Sequence, residues 1–188
     1  AQNGYCLNPT NDYKALNQSY KNAKFILSYS KDITKCVELA FPFCKNKIQD
    51  TIYSINADEF DFSTPKTNTI TYMPRKIPEH SEHLLFFLEK RIPRSWKIKS
   101  IHNLKQQDVY KHLLQSKIFL AFSKLEGLPL PPVEAGIAGN KVIGYTGEGG
   151  KEVWKKPIFS EIPSGNILKF VEEIIKNTKK NFPKDKTL

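Results

Sequence analysis

Two carboxylates carry the chemistry this sequence could do: Glu126 and Glu134, with seven residues between them in F-S-K-L-E-G-L-P-L-P-P-V-E-A-G-I-A-G, residues 122–139. The segment follows an apolar run, 118–122, and opens onto a helical pattern. Pro131 or Pro132 suits a first helical turn, where a missing N–H costs nothing. Glu134 is then expected in that positive first turn, and Glu126 on the loop before it. The unpaired N–H groups and dipole of a helix start favour an anion, so the two glutamates flank an anion pocket and could hold hydroxyl groups on either side of a diphosphate. The same residues also fit a proline-rich strand-to-helix turn whose glutamates cap the helix and face water. Residue types alone leave both readings open.

From about residue 69 onward, short apolar runs alternate with amphipathic segments, the signature of βα units and a parallel sheet. Strands are predicted over 69–73, 96–101, 118–122 and 141–144, with a short fifth around Ile158. Helices are predicted over 78–90, 106–115, 131–138 and 164–176, and the run Leu84-Leu-Phe-Phe-Leu88 reads as core. Such strands wind right-handed into a Rossmann-like layer with helices on both faces, which binds ligands beyond the carboxyl ends of its strands. The first sixty residues differ: a polar, Asn- and Tyr-rich start, a strand over 24–29, a helix over 32–40 and a strand over 47–54. These elements are too few to close a core of their own. Residues 58–68, carrying Pro65 and Lys66, have linker composition. The division is therefore 1–64, and 65–188 as the main α/β domain. The lysine-rich end, 176–188, is expected to fray.

Charge and cysteines narrow the partners. The formal net charge is +10, yet of 29 basic residues only Arg75, Arg91 and Arg94 are arginines, and the lysines are scattered. Nucleic-acid recognition leans on the guanidinium fork, so nucleic acid is set aside, and anionic membrane surfaces or an anionic substrate stay open as electrostatic partners. Cys6, Cys36 and Cys44 show neither disulfide nor zinc spacing, which fits a reducing cytoplasm. No apolar stretch is long enough to span a bilayer. His80 and His83 form an H-x-x-H pair without further ligands at a suitable spacing, so no metal is expected and the pair reads as a solvated helix face. Gly150-Lys151 fails the P-loop pattern, since Tyr145 and Glu152 stand where Gly and Ser or Thr belong. The stretch 144–151 reads instead as a flexible loop, or as an ordinary glycine turn.

The segment E-G-L-P-L-P-P-V-E-A resembles the E-x7-E motif of retaining GT-B glycosyltransferases, especially family 4, in which it commonly reads E-G-F-G-L-P-x-x-E-A. Ser123, Gly127, Leu130, Pro131, Ala135 and Gly139 also match, without gaps. Further pieces fall in the family's order: I-T-Y-M-P-R-K at 70–76 resembles the strand and turn that bring Arg and Lys to the donor diphosphate. The stretch 142–152 resembles the loop that closes over the site, and 25–30 with the helix after it resembles the last βα unit of the N-terminal domain.

The resemblance implies that Glu126 engages hydroxyls of the donor sugar and Glu134 the ribose hydroxyls. Arg75 and Lys76 would neutralise the diphosphate, backbone amides at Gly127 and Leu128 would cradle it, and Ser123 would lie at the nucleotide site. His102, just after the second predicted strand, sits at the edge where a nucleotide base would lie, or else on a plain polar loop. Fixed cations and amides of this kind stabilise a departing diphosphate without a metal or other cofactor. Two positions depart from the pattern. Pro129 stands where the family usually has Gly, removing an amide donor, and Lys76 directly follows Arg75. The implied partners are a nucleotide-diphosphate sugar and a glycan or lipid-linked acceptor, with a cytoplasmic location that allows peripheral contact with the inner face of the membrane. Residues 1–64 would be the last elements of an acceptor-binding domain, so the isolated chain is expected to be inactive. The alternative is a non-catalytic nucleotide- or sugar-binding or interaction module that keeps the fold.

Overall fold

A computed structural model of the chain describes residues 1, 3–7 and 12–179. Of the lysine-rich end, residues 180–188 lie outside the described residues, and Lys176 belongs to a helix that runs to Thr178. The chain forms two compact units. One comprises Ala1–Ser54, Leu125–Pro129 and Gly147–Val153, and the other Ile55–Lys124, Leu130–Thr146 and Trp154–Leu188.

In the first unit, α1 (Tyr13–Asn22) leads to β1 (Ile26–Ser28), α2 (Lys31–Ala40) and β2 (Ile48–Asp50). β1 and β2 pair in parallel, with Ile26 opposite Ile48. Helix α1 was not expected from the polar start. Asp12 caps it, accepting from Lys14 N and Ala15 N, and it attaches through rings, with Tyr20 stacked on Phe41 at 4.5 Å. Ile33, Val37, Phe41 and Cys44 complete a small apolar cluster.

The second unit holds a five-stranded parallel sheet in the order β4-β3-β5-β6-β7. Its strands are β3 (Thr67–Tyr72), β4 (Lys97–Ser100), β5 (Ser116–Glu126), β6 (Lys141–Glu148) and β7 (Phe159–Glu161). The helices are α3 (Pro78–Leu88), α4 (Gln106–Gln115), α5 (Leu130–Ile137) and α6 (Ile167–Thr178). Alternation along β5 shows how both faces are covered. Ile118, Leu120 and Phe122 enter one cluster with Leu84 and Leu88 of α3 and Phe170 and Ile174 of α6. Phe119 and Ala121 enter the other, with Val109 and Leu113 of α4 and Ala135 of α5. A strand buried on both faces must be apolar without interruption, and residues 118–122 are each at most 4% exposed.

Three expectations are corrected. The run 84–88 is only partly core: Leu84 and Leu88 are fully buried, whereas Phe86 is 75% exposed, because at 3.6 residues per turn five consecutive residues cannot share one face. β5 continues to Glu126 and β6 to Glu148, beyond the strand ends predicted at Phe122 and Gly144. Glu126 is therefore a strand residue, and much of the supposed glycine loop is buried strand. Gly144 makes the close passage of β6 feasible: a Cβ there would lie 2.1 Å from the Ala121 carbonyl oxygen. Finally, 58–68 is no free linker, since Phe60 packs on Tyr110 with ring centroids 4.3 Å apart and Thr67 begins β3.

Candidate functional site

In the second unit, β3, β4 and β5 each deliver candidate residues past or near their carboxyl ends. Arg75 and Lys76 lie exposed on the turn between β3 and α3. His102 is exposed just after β4, beside Asn103, whose φ of 52° is left-handed. The Ile101 amide donates to the Tyr72 carbonyl at 2.8 Å, so the ends of β3 and β4 are tied where these residues emerge. Ser123, on β5, is 6% exposed.

Glu134 stands apart as a buried carboxylate, 9% exposed. It is the fifth residue of α5, not part of its first turn. The helix starts a residue earlier than expected, at Leu130, and places both prolines among its first three residues, where no intrahelical donor is needed. Its carboxylate is held from α4: Gln106 Nε2 donates to Oε1 at 3.1 Å and the Tyr110 hydroxyl at 3.3 Å. Burial raises its pKa above the ordinary value, the bonds from Tyr110 and Gln106 oppose that, and the charge of Glu59 adds to it. A carboxylate kept in this setting is costly unless it is hydrogen-bonded, and both of these bonds fall on one oxygen. Chemically, the other oxygen can accept from a pair of vicinal hydroxyls or a similar donor.

The position of α5 depends on a residue that sequence reasoning missed. Asn140, 1% exposed, donates to the Leu113 carbonyl at 2.8 Å and the Ala135 carbonyl at 2.9 Å, and accepts from Ser116 Oγ at 2.6 Å. It joins the end of α4, the end of α5 and the start of β5. Gly139, at φ 76°, makes the left-handed turn that brings it there. The Gly-Asn pair after a helical run was a legible stop signal, but its three partners were not.

In the first unit lie Glu126, half-buried at the end of β5, buried Gly127 and half-buried Leu128. The Gly127 carbonyl accepts from Ser30 Oγ at 2.8 Å. Ser30 also caps α2, accepting from Ile33 N at 3.2 Å. The Lys31 amide donates to the Glu152 carboxylate, an acid at the positive end of α2. Gly149 abuts the Gly127 carbonyl so closely that a Cβ would sit 1.8 Å from its oxygen. Asn3 Nδ2 donates to the Leu125 carbonyl at 3.3 Å. Ser30, Glu152, Gly149 and Asn3 thus fix the segment around Gly127, and the sequence reading assigned none of them a contact to it. Leu128 lies between Gly127 and buried Pro129.

The histidine pair is also corrected: His80 is no solvated helix residue, since its Nδ1 lies 3.2 Å from the hydroxyl of buried Tyr145. His83 Nδ1 meets the Glu79 carbonyl on its own helix. Among the described residues no cluster of three or more His, Cys, Asp or Glu could hold a metal ion, and no helix is long and apolar enough to cross a membrane.

A five-stranded parallel sheet flanked by helices in this order matches the C-terminal domains of GT-B glycosyltransferases. No known protein-family profile matches the chain, and no curated protein matches it in sequence. Solved structures do. A point mutant of S. aureus TarM, in complex with fondaparinux, alpha-GlcNAc-glycerol and UDP, superposes with a TM-score of 0.70 at 13% identity, covering 89% of this chain and 39% of that one. HepE of Anabaena, in complex with UDP and glucose, gives 0.69 at 12% identity, covering 92% and 60%. WaaG, a glycosyltransferase involved in lipopolysaccharide biosynthesis, gives 0.62 at 11% identity, covering 94% and 60%. At such identities the likeness establishes the fold. The chain spans between 39% and 60% of the length of these proteins.

Proposed function

We propose that this chain carries the donor-binding part of a retaining glycosyltransferase of the family 4 type, which moves a sugar from a nucleotide-diphosphate sugar to a glycan or lipid-linked acceptor. The observation that carries the reading is Glu134, a buried carboxylate anchored by Gln106 and Tyr110 on the helix that follows the E-x7-E strand. Nothing in the core calls for a carboxylate there, and its charge opposes burial. A ligand that donates hydroxyl hydrogens to it accounts for its presence. The nucleotides in the TarM and HepE structures support a nucleoside diphosphate as that ligand.

In this proposal Glu134 accepts from the ribose hydroxyls and Glu126 from hydroxyls of the donor sugar. Arg75 and Lys76, exposed after β3, swing onto the diphosphate, and the amides of Gly127 and Leu128 supply fixed donors. Ser123 and His102 complete the nucleotide site. Charge builds on the leaving diphosphate in the transition state, and preorganised cations and amides stabilise it there, so no metal is required. The departing phosphate oxygen takes the proton of the incoming hydroxyl, and neither glutamate acts as nucleophile. We place the enzyme in the cytoplasm, with its net charge of +10 favouring anionic membrane surfaces that present lipid-linked acceptors.

A thermal-shift screen of the purified chain against UDP, GDP, ADP, TDP and CDP tests the reading. A diphosphate at about a hundred times its Kd stabilises the fold by roughly 2.7 kcal/mol. One base should stand out, and Glu134→Ala should abolish its effect. A response that survives Glu134→Ala removes this carboxylate from the nucleotide site.

A further inference from the structure

On one sheet face along β3 and β4, the second unit contains a cavity of about 300 Å³. Thr67, Thr69, Lys97, Lys99, His112 and Gln115 line it, and among the described residues no carboxylate does. The volume is at the lower end for small-molecule sites. Side chains at 67, 69 and 71 on β3 and at 97 and 99 on β4 share one sheet face, because strand residues alternate with a period of two, while Ile70 and Ile98 point to the core on the other face.

Among the described residues, the cavity concentrates positive charge without a counter-ion. Neither Lys97 nor Lys99 has an ion-pair partner among the described residues. The acid nearest in sequence to His112, Asp108 on its own helix, pairs with Lys111 at 3.2 Å. The carboxyl end of α4 would ordinarily repel an anion, but here it is capped: Lys66 Nζ donates to the carbonyls of Leu114 at 3.1 Å and Ser116 at 2.8 Å, with Leu113 at 3.4 Å. The Thr67 hydroxyl takes the Gln115 carbonyl at 3.0 Å. A fixed ammonium thus replaces the negative end of the helix dipole. His112 is held below its ordinary pKa by burial and by the charge of Lys99, which Asp108 only partly offsets. An anion seated among these groups would reverse that.

We propose that this cavity binds a tetrahedral oxyanion, a phosphate or sulfate group, between Lys97, Lys99 and His112, with the Gln115 amide as a further donor. The site is independent of the donor reading, since it uses none of its residues. Binding tightens as pH falls, because the anion draws a proton onto His112 in the field of Lys97 and Lys99 on β4 and of Asp108, Lys111 and the Lys66 ammonium around α4.

The experiment is an NMR titration of the His112 ring in the whole chain, with inorganic phosphate and with glucose 6-phosphate, against sodium chloride at matched ionic strength. Both anions should move the His112 resonance saturably and raise its pKa, and Lys97→Gln/Lys99→Gln should weaken binding by about ten-fold. Glu134→Ala should leave the response intact, which separates this site from the nucleotide site. Equal affinity for the two probes identifies a free anion as the ligand, and tighter binding of glucose 6-phosphate identifies a sugar-borne one. A His112 response no larger than that to chloride, or one retained in the double variant, overturns the proposal.

Discussion

Ser30 Oγ lies 2.8 Å from the carbonyl oxygen of Gly127, joining residues 97 positions apart in the chain. The same hydroxyl accepts from Ile33 N, so one side chain both starts α2 and holds the peptide whose amides are proposed to cradle the diphosphate. Ser30→Ala removes both bonds. The cap alone is worth about 1 kcal/mol, and a buried carbonyl left without its donor adds a comparable loss. The variant should melt lower than the parent and bind the preferred diphosphate more weakly. Ser30→Thr, which keeps the hydroxyl, should restore most of both, as thermal melts with and without nucleotide would show.

Glu134 should trade stability for binding. Its folded pKa is raised, so the native state holds a proton that the unfolded state has released, and this contribution to stability is full below the unfolded value and fades as pH rises above it. Glu134→Gln keeps an oxygen acceptor for Gln106 and Tyr110 but cannot ionise. At pH 7 the variant should melt higher than the parent, by about 2–4 °C, and the gain should disappear toward pH 4. Its nucleotide response should be reduced at every pH. Melting curves from pH 4 to 8 check all three outcomes.

Most of the sheet was legible in the sequence because burial on both faces leaves a signature: 118–122 is a continuous apolar run, and Val142-Ile143 is a shorter one, each bounded by helix periodicity. The extension of β5 to Glu126 was not, since Lys124 and Leu125 are exposed and the apolar run that marks the buried strand ends at Phe122. Within the candidate site, the glutamates were legible as types at a spacing. Their holders were not, because Gln106 and Tyr110 reach Glu134 across 24 or more residues and no local pattern encodes that. Phe86 misled for a simple reason: composition said core, while its angular position on α3 puts it in water.

Lys66 gives a second pH signal of opposite sense. Its ammonium sits beneath the end of α4, and burial lowers its pKa to about 8. Between that value and the unfolded one of 10.5, the unfolded chain keeps a proton that the native chain sheds, so stability rises with pH across this window. Lys66→Met has no proton to shed. The difference in unfolding free energy between parent and variant, measured by denaturant melts at pH 7 and pH 10, should shift in favour of the parent as pH rises. A constant difference would mean that the three carbonyl bonds hold the proton in place against burial.

Gly149 tests whether the Gly127 segment is one mechanical unit. A methyl group at Gly149 would sit 1.8 Å from the Gly127 oxygen and 2.7 Å from the Glu126 oxygen, both backbone atoms that cannot rotate away. Gly149→Ala must therefore push the segment off its seat, which also breaks the bond from Ser30. Each single change reaches the same peptide, so their effects on nucleotide binding should not add. We expect Ser30→Ala in the Gly149→Ala background to cost little further binding, with a coupling energy of about 0.5–3 kcal/mol, the range for residues that share a partner. Additive losses would show that Ser30 acts through α2 alone and that the Gly127 carbonyl is placed by other contacts.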